Sequence, residues 1–239
     1  MSEDQLEAFL RHAERDDDVV GLILSGSAAR GLATVRSDLD LYVVLDHSSR
    51  EWSSEHSLGM DTPVITLEQL KEIPFDPRDW ANRWSFAYAR VLMDRTHGEL
   101  HRLVVAQATL QPSEVHRVLA TYLDGYVNFA YRSLKSHRDG KLFEARLDAV
   151  ESLSWGLPIV FGLQRRVRPY NKYLRWELEN HPFDDPRWEP LLMLVDEILD
   201  TDDPAPQRGL FRLVEPEARA YGYGHVLDAW GDELDLFDD

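Results

Sequence analysis

The spacing of apolar residues changes near residue 111, and this change constrains the fold more than any other feature of the sequence. Before that point, short β-branched runs alternate with amphipathic segments, which indicates strands packed against helices. After it, apolar residues recur every three or four positions, as in helices that bury one face. The sequence therefore predicts a first domain of alternating strands and helices, residues 1–111, and an all-helical second domain, residues 112–239.

The individual elements follow from the same patterns. In the first domain we predict strands at Val19–Leu24, Leu39–Leu45, Val64–Thr66 and 89–93, a helix around 6–13, and a second helix at 67–73 that Pro74 and Pro77 punctuate. In the second domain one apolar stripe runs through 115–129 and another through 191–199. Between them a third stripe, disturbed at 156–158, comprises Leu142, Leu147, Val150, Leu153 and Leu157.

Composition excludes several classes of function. The 239 residues include no cysteine, which excludes disulfides, thiolate metal sites and cysteine nucleophiles. The formal net charge of −17 repels long nucleic acids. The N-terminal segment is acidic without an unbroken apolar run, and no stretch approaches the roughly 20 apolar residues of a membrane span. We therefore expect a cytoplasmic protein with no membrane partner.

Two acids separated by one residue mark the predicted strand at Leu39–Leu45. Side chains alternate along a strand, so Asp38, Asp40 and Tyr42 point to one face, and the other face carries Leu39, Leu41, Val43 and Leu45. Two carboxylates this close favour a cation between them. Mg²⁺ is the usual choice because it prefers hard oxygen ligands and shares the phosphates of a substrate.

A small-residue turn precedes this acidic pair. Gly26 and Ser27 follow the strand at Val19–Leu24, where a glycine lets the backbone approach a ligand. Backbone N–H groups and a serine hydroxyl in such a turn can hold a phosphate. The combination of turn, strand and paired acids predicts a site for a metal-bound nucleoside triphosphate.

The motifs GSAARG (26–31), SDLD (37–40) and ARVLMDRTHGEL (89–100) resemble the nucleotidyltransferase superfamily that includes DNA polymerase beta, in particular the streptomycin and kanamycin adenylyltransferases. The resemblance implies an α+β fold, with a small mixed-sheet domain, a helical bundle and the nucleotide between them. It implies two Mg²⁺ ions and ATP or another nucleoside triphosphate as substrate. The implied nucleotide-binding residues are Gly26, Ser27, Arg30, Ser37 and, in the basic cluster 165–175, Lys172.

The same superfamily uses a third carboxylate, which completes the metal site or accepts the proton of the attacking hydroxyl. Asp61 is our choice because it stands at the mouth of the next predicted strand. Asp94, which follows the strand at 89–93, is the alternative, although a turn residue explains it equally well. The predicted catalytic and metal-binding set is Asp38, Asp40 and Asp61.

These residues imply transfer of a nucleoside monophosphate, AMP from ATP, to a hydroxyl of a small molecule. An aminoglycoside-like antibiotic is one such acceptor, and an acidic protein suits a cationic one. Two alternatives stay open: an antitoxin-type enzyme that adenylylates a protein, and a nucleotide sensor without turnover. The sequence leaves the preferred nucleotide, the acceptor and the oligomeric state undetermined.

Overall fold

The first unit is built on a mixed β-sheet. The computed structural model describes residues 3–57, 59–73 and 75–238, and the chain divides into two units, Met1–Thr109 and Leu110–Asp239. The elements of the first unit are α1 (Glu3–Arg15), β1 (Val19–Leu24), α2 (Gly26–Ala29), β2 (Leu39–Leu45), β3 (Glu55–Ser57), β4 (Met60–Thr62), β5 (Val64–Thr66), α3 (Leu67–Lys71), α4 (Ala81–Trp84), β6 (Arg90–Asp94) and α5 (Glu99–Ala108).

The strand order is β3-β4-β2-β1-β6, and β5 also pairs with β2. β1 is antiparallel to both of its neighbours, whereas β4 and β5 run parallel to β2. The pairs Leu39↔Met60 and Val43↔Val64 have the same sequence offset, so β4 and β5 continue one another on either side of Pro63. Proline has no N–H to donate to a neighbouring strand, which explains the interruption.

Both faces of the sheet are packed. Val43 and Leu45 join α1 in one apolar cluster, and Val44 joins α3 and α5 in a second cluster on the opposite face. The predicted alternation along β2 is therefore present, but beyond Asp40 the acidic face becomes core as well. Three consecutive buried residues at the end of β2 show this two-sided burial.

Several predicted bounds shift by a few residues. The helix expected at 67–73 ends at Lys71, and the strand expected at 89–93 lies at Arg90–Asp94. Pro77 lies in a turn, while Pro74 lies outside the described residues. The sequence did not predict β3 or β4, because two three-residue strands are too short for a period to be recognised.

The second unit is helical. Its helices are α6 (Pro112–Arg138), α7 (Leu142–Leu163), α8 (Asn171–Asn180), α9 (Leu191–Asp200), α10 (Ala205–Ala218) and α11 (Gly224–Asp228), with 3₁₀ turns at Pro186–Trp188 and Gly231–Phe237 and a π turn at Arg219–Tyr223. The predicted class, a small mixed sheet followed by helices, is confirmed. Among the helices of the described residues, none is long and apolar enough to cross a membrane.

The stripe predicted along α7 is partly wrong. Leu142, Leu147 and Val150 are exposed, whereas Leu153 and Leu157 are buried. Small residues occupy the buried positions of the N-terminal half of the helix, because Ala145 and Ala149 allow close packing where a leucine would not fit. Pro158 lies inside the helix and does not end it.

Candidate active site

The turn between β1 and α2 is packed directly against the acid at position 40. The N–H of Ser25 donates a 2.8 Å hydrogen bond to the carbonyl of Asp40. Gly26 follows with a φ of +64°, and a Cβ placed on it would lie 1.7 Å from Oδ2 of Asp40. No other residue type fits this position unless the carboxylate moves. The predicted pairing of glycine turn and carboxylate is therefore a direct contact.

The three predicted acids lie at the same end of neighbouring strands. Asp40 on β2 is the in-register partner of Asp61 on β4. Parallel partners on adjacent strands, about 4.8 Å apart, present their side chains to the same face. Asp38 immediately precedes β2, and its Oδ1 accepts a 3.0 Å hydrogen bond from the N–H of Gly59 at the start of β4. The topology thus brings Asp38, Asp40 and Asp61 to one edge of the β2–β4 pair.

Asp61 lies on a strand that the sequence did not reveal. We expected it at the mouth of the strand at Val64–Thr66, but it is the central residue of β4, one residue before Thr62. The β3–β4 hairpin places His56 opposite Asp61, and His56 Nδ1 lies next to Asp61 Oδ1. His56 is a site neighbour that sequence reasoning missed. The only sequence signal for it was a glycine, Gly59, between two short polar segments.

A magnesium ion fits the chemistry of this edge. The donors are carboxylate oxygens, and Gly26 provides the backbone approach that a side chain would fill. Within the described residues, no three acidic or histidine side chains stand together in the geometry of a bound metal ion. Instead, Asp38 accepts a hydrogen bond from the N–H of Gly59, and Asp61 contacts His56. Carboxylates that lie close together repel one another, so each is expected to contact another group. The metal-ligand assignment of the three acids stays a prediction.

Tyr42 extends the same face of β2 into the core. Burial raises the pKa of its phenol, and the negative charge of Asp40 raises it further. The hydroxyl lies 3.3 Å from Oγ of Ser85. Asp40 therefore stands where β2 passes from the packed core to the accessible edge.

The predicted nucleotide-binding residues of the first unit differ in their surroundings. Ser27 is buried in α2, and its carbonyl accepts a 2.9 Å hydrogen bond from the N–H of Leu32. The hydroxyl of Ser37 accepts a 2.9 Å hydrogen bond from the N–H of Thr34 and so closes the turn before Asp38. Arg30 directs its guanidinium at backbone carbonyls within the unit. Nucleotide binding by Gly26, Ser27, Arg30 and Ser37 stays a prediction.

Two of the five basic residues in the cluster of the second unit form ion pairs with acids. Arg166 forms an ion pair with the buried Glu177, and Arg175 forms one with Asp196 at 2.6 Å. Burial lowers the pKa of Arg168. Lys172 is exposed in the first turn of α8, with Nζ 4.7 Å from the ring centre of Tyr173. Nearby acids therefore pair with Arg166 and Arg175, and the role of Lys172 in nucleotide binding stays a prediction.

Asp94 lies at the other end of the sheet. Its register partner on β1 is Gly21, which itself pairs with Val44. Val44 is four residues from Asp40 along β2, a span of about 13 Å. The carboxylate of Asp94 accepts hydrogen bonds from Thr96 N–H (2.7 Å), Thr96 Oγ1 (2.6 Å) and His101 Nδ1 (2.9 Å). It therefore fixes the turn before α5.

These contacts predict a pH-dependent stability. Burial raises the pKa of Asp94, but the hydrogen bonds from Thr96 and His101 outweigh burial and lower it from 3.8 to about 2. A depressed carboxyl pKa stabilises the fold above the unfolded-state value, and this contribution is lost as pH falls from about 4 toward 2. We expect Asp94→Asn to lower the free energy of unfolding at pH 7 by about 1–2 kcal/mol. The deficit, measured by urea unfolding, should shrink below pH 4, and a deficit independent of pH would contradict this account.

Comparison with known proteins identifies the first unit. Residues 4–86, which contain α1 to α4 and all three predicted acids, match the sequence model of the nucleotidyltransferase domain family. The chain is similar to a nucleotidyltransferase-like protein from Exiguobacterium sibiricum 255-15, whose crystal structure shares 14% identity and a TM-score of 0.48 over 93% of this chain and 77% of the other. No curated protein matches the sequence. Residues 4–86 of the first unit therefore match a nucleotidyltransferase domain, and this match supports the assignment of the chain as a transferase.

Proposed function

We propose that the protein transfers a nucleoside monophosphate, AMP from ATP, to a hydroxyl group of a small molecule. The observation that carries this proposal is the in-register pair of Asp40 and Asp61, with Asp38 beside them and Gly26 packed against Asp40. An arrangement of hard oxygen donors next to a glycine turn suits a triphosphate and its cation. The match of this segment to the nucleotidyltransferase domain supports the same chemistry.

In the proposed mechanism, Asp38, Asp40 and Asp61 would hold Mg²⁺, of which we expect two ions. When bound, Mg²⁺ neutralises the triphosphate and stabilises charge on the leaving oxygens. The acceptor oxygen forms a bond to the α-phosphorus, the bond to pyrophosphate breaks, and the hydroxyl proton passes to a carboxylate, for which Asp61 is the candidate. The Gly26–Ser27 turn supplies backbone N–H groups for phosphate oxygens, and no covalent enzyme intermediate is needed.

In the second unit, Lys172 is a further proposed phosphate-binding residue. A lysine ammonium binds phosphate as a point charge. Its position in the first turn of α8 adds the favourable dipole of the helix N-terminus for an anion. We propose that Lys172 binds phosphate.

The proposed acceptor is a cationic small molecule of the aminoglycoside type. The net charge of −17 supports it, because the long-range field of an acidic protein attracts cations. One observation favours a second candidate, a protein acceptor. α7 exposes Phe143, Leu147 and Val150 at helical spacing, with exposed fractions of 74%, 57% and 42%. Exposed apolar stripes of this kind are typical of protein-binding surfaces.

One labelling experiment tests both candidates. The protein is incubated with ATP labelled at the α-phosphate, Mg²⁺, pooled aminoglycosides and cell extract, and the products are separated by size. We expect label on a small molecule, lost with EDTA and with Asp40→Asn. The largely exposed Asp46, at the other end of β2, provides the matched control Asp46→Asn, which should retain labelling.

The other outcomes are equally informative. Label on a protein, again dependent on Asp40, would replace the small-molecule acceptor by the second candidate. Mg²⁺-dependent ATP binding without any labelled product would contradict the proposed transfer and favour a nucleotide sensor. Label that persists in Asp40→Asn would refute the assignment of the metal-binding acids.

A further inference from the structure

The guanidinium of Arg30 donates hydrogen bonds to three backbone carbonyls around the glycine turn. One of its terminal nitrogens, Nη1, donates to the carbonyl of Gly26. The other, Nη2, donates to the carbonyls of Trp84 at 3.1 Å and of Ala87 at 2.9 Å. The guanidinium carbon also lies 3.9 Å from the ring centre of Trp84, whose side chain is buried. One side chain thus joins the start of α2 to the turn formed by residues 84–87.

α2 requires stabilising contacts from outside the helix. It is a single turn of four residues, and an isolated turn is unstable because helix nucleation is unfavourable. Its N-cap residue, Ser25, makes no side-chain capping bond. The turn must nevertheless hold Gly26 in a left-handed conformation against the Asp40 carboxylate. External support is therefore required at the residue whose carbonyl Arg30 binds.

The same 84–87 turn contacts β2 as well. The hydroxyl of Ser85 lies 3.3 Å from that of Tyr42, which shares a face of β2 with Asp40. The ring of Phe86 packs against Tyr42 with 5.1 Å between ring centres. The 84–87 turn therefore supports the glycine turn through Arg30 and the acidic strand through Tyr42.

We infer that Arg30 is a positioning residue, which fixes the Gly26 turn against Asp40 through the 84–87 turn, and is not a ligand of the nucleotide phosphates. The inference rests on the proposed function for its catalytic consequence, whereas the positioning itself is a property of the fold. Lysine cannot replace arginine in this role. A guanidinium serves three carbonyls and stacks on an indole, but an ammonium is a point charge without a planar face.

The test measures position and binding separately. Arg30→Lys and Arg30→Gln are compared with the wild type, and Arg78→Lys, at a largely exposed arginine of the same unit, is the matched control. Hydrogen exchange of the amides in 25–32 reports the stability of the turn. The affinity for a non-hydrolysable ATP analogue with Mg²⁺ reports nucleotide contact, and steady-state transfer reports the reaction. Thermal unfolding shows whether each variant folds. If Arg30→Gln does not fold, Arg30→Lys alone tests the inference.

We expect exchange in 25–32 to become about tenfold faster or more in Arg30→Lys. We expect kcat to fall by about 10- to 100-fold. Because a loosened turn also holds phosphate less well, any loss of affinity for the analogue should be equal in Arg30→Lys and Arg30→Gln. Unchanged exchange in Arg30→Lys would overturn the inference. So would weaker analogue binding in Arg30→Gln that Arg30→Lys restores, because retained charge would then be sufficient. If the wild type shows no transfer, the proposed function fails, while the exchange data still decide whether Arg30 holds the turn.

Discussion

Replacing Asp40 by asparagine should reduce nucleotidyl transfer by about 10²- to 10³-fold or more, while the fold survives. The substitution keeps the shape of the side chain but removes one of the negative charges proposed to hold Mg²⁺. It also relieves repulsion from Asp38 and Asp61, so the free energy of unfolding should change by less than about 1 kcal/mol. The comparison of transfer rate with urea unfolding separates the two effects.

The control for this variant is Asp46→Asn, which removes a carboxylate just beyond the opposite end of β2. It should match the wild type in both measurements. Transfer in Asp40→Asn within tenfold of the wild type would show that Asp40 does not hold the metal. A large loss of stability in the same variant would show instead that its carboxylate supports the fold.

Replacing Gly26 by alanine should be nearly as damaging to transfer, for a steric reason. The new Cβ would lie 1.7 Å from Oδ2 of Asp40, so either the carboxylate or the turn must move. A displacement of about 1 Å in a reacting group can cost about 10²-fold in rate. The left-handed backbone adds a penalty of about 1–2 kcal/mol to the free energy of folding.

Gly31 supplies a control within the same segment. It has a φ of +71°, but a Cβ placed there would meet nothing within 4 Å. Gly31→Ala should therefore show a similar backbone penalty in urea unfolding and retain transfer. The difference between the two alanine variants isolates the contact with Asp40. Equal transfer rates in both would show that this contact has no role in the reaction.

The sequence predicts the central strands well and the site geometry only in part. β1, β2 and β5 have the predicted bounds because each is rich in β-branched and apolar residues, most of which are buried or half-buried in the sheet. β3 and β4 escape prediction, since they are short and polar and Pro63 interrupts the run that continues into β5. The partner of Asp40 is set by parallel register, which is a tertiary property that a local pattern does not contain.

The direction of side chains is the second feature that the sequence does not predict. Nucleotide binding by Arg30, which the motif 26–31 implies, stays a prediction. The stacking of its guanidinium on the ring of Trp84, 54 positions later in the chain, has no local signal in the sequence. The same is true of α7. Its leucines predict a buried stripe, yet in the N-terminal half of the helix Ala145 and Ala149 are buried while Leu142 and Leu147 are exposed. Both outcomes depend on the neighbours that the fold supplies.

The uninterrupted register of β4 and β5 along β2 also determines where this domain tolerates changes in length. Residues 46–54 form the connection between β2 and the β3–β4 hairpin, and Trp52 within it packs against α1. Insertions at 47–51, before Trp52, lengthen a surface loop and leave every strand pair intact. A single residue added or lost between 60 and 66 would shift one half of the strand against β2. Such a shift would turn either Asp61 or the apolar residues of β5 to the opposite face. Variation in length among proteins with this domain should therefore be concentrated at 47–51, where it alters the rim of the domain without disturbing its acids.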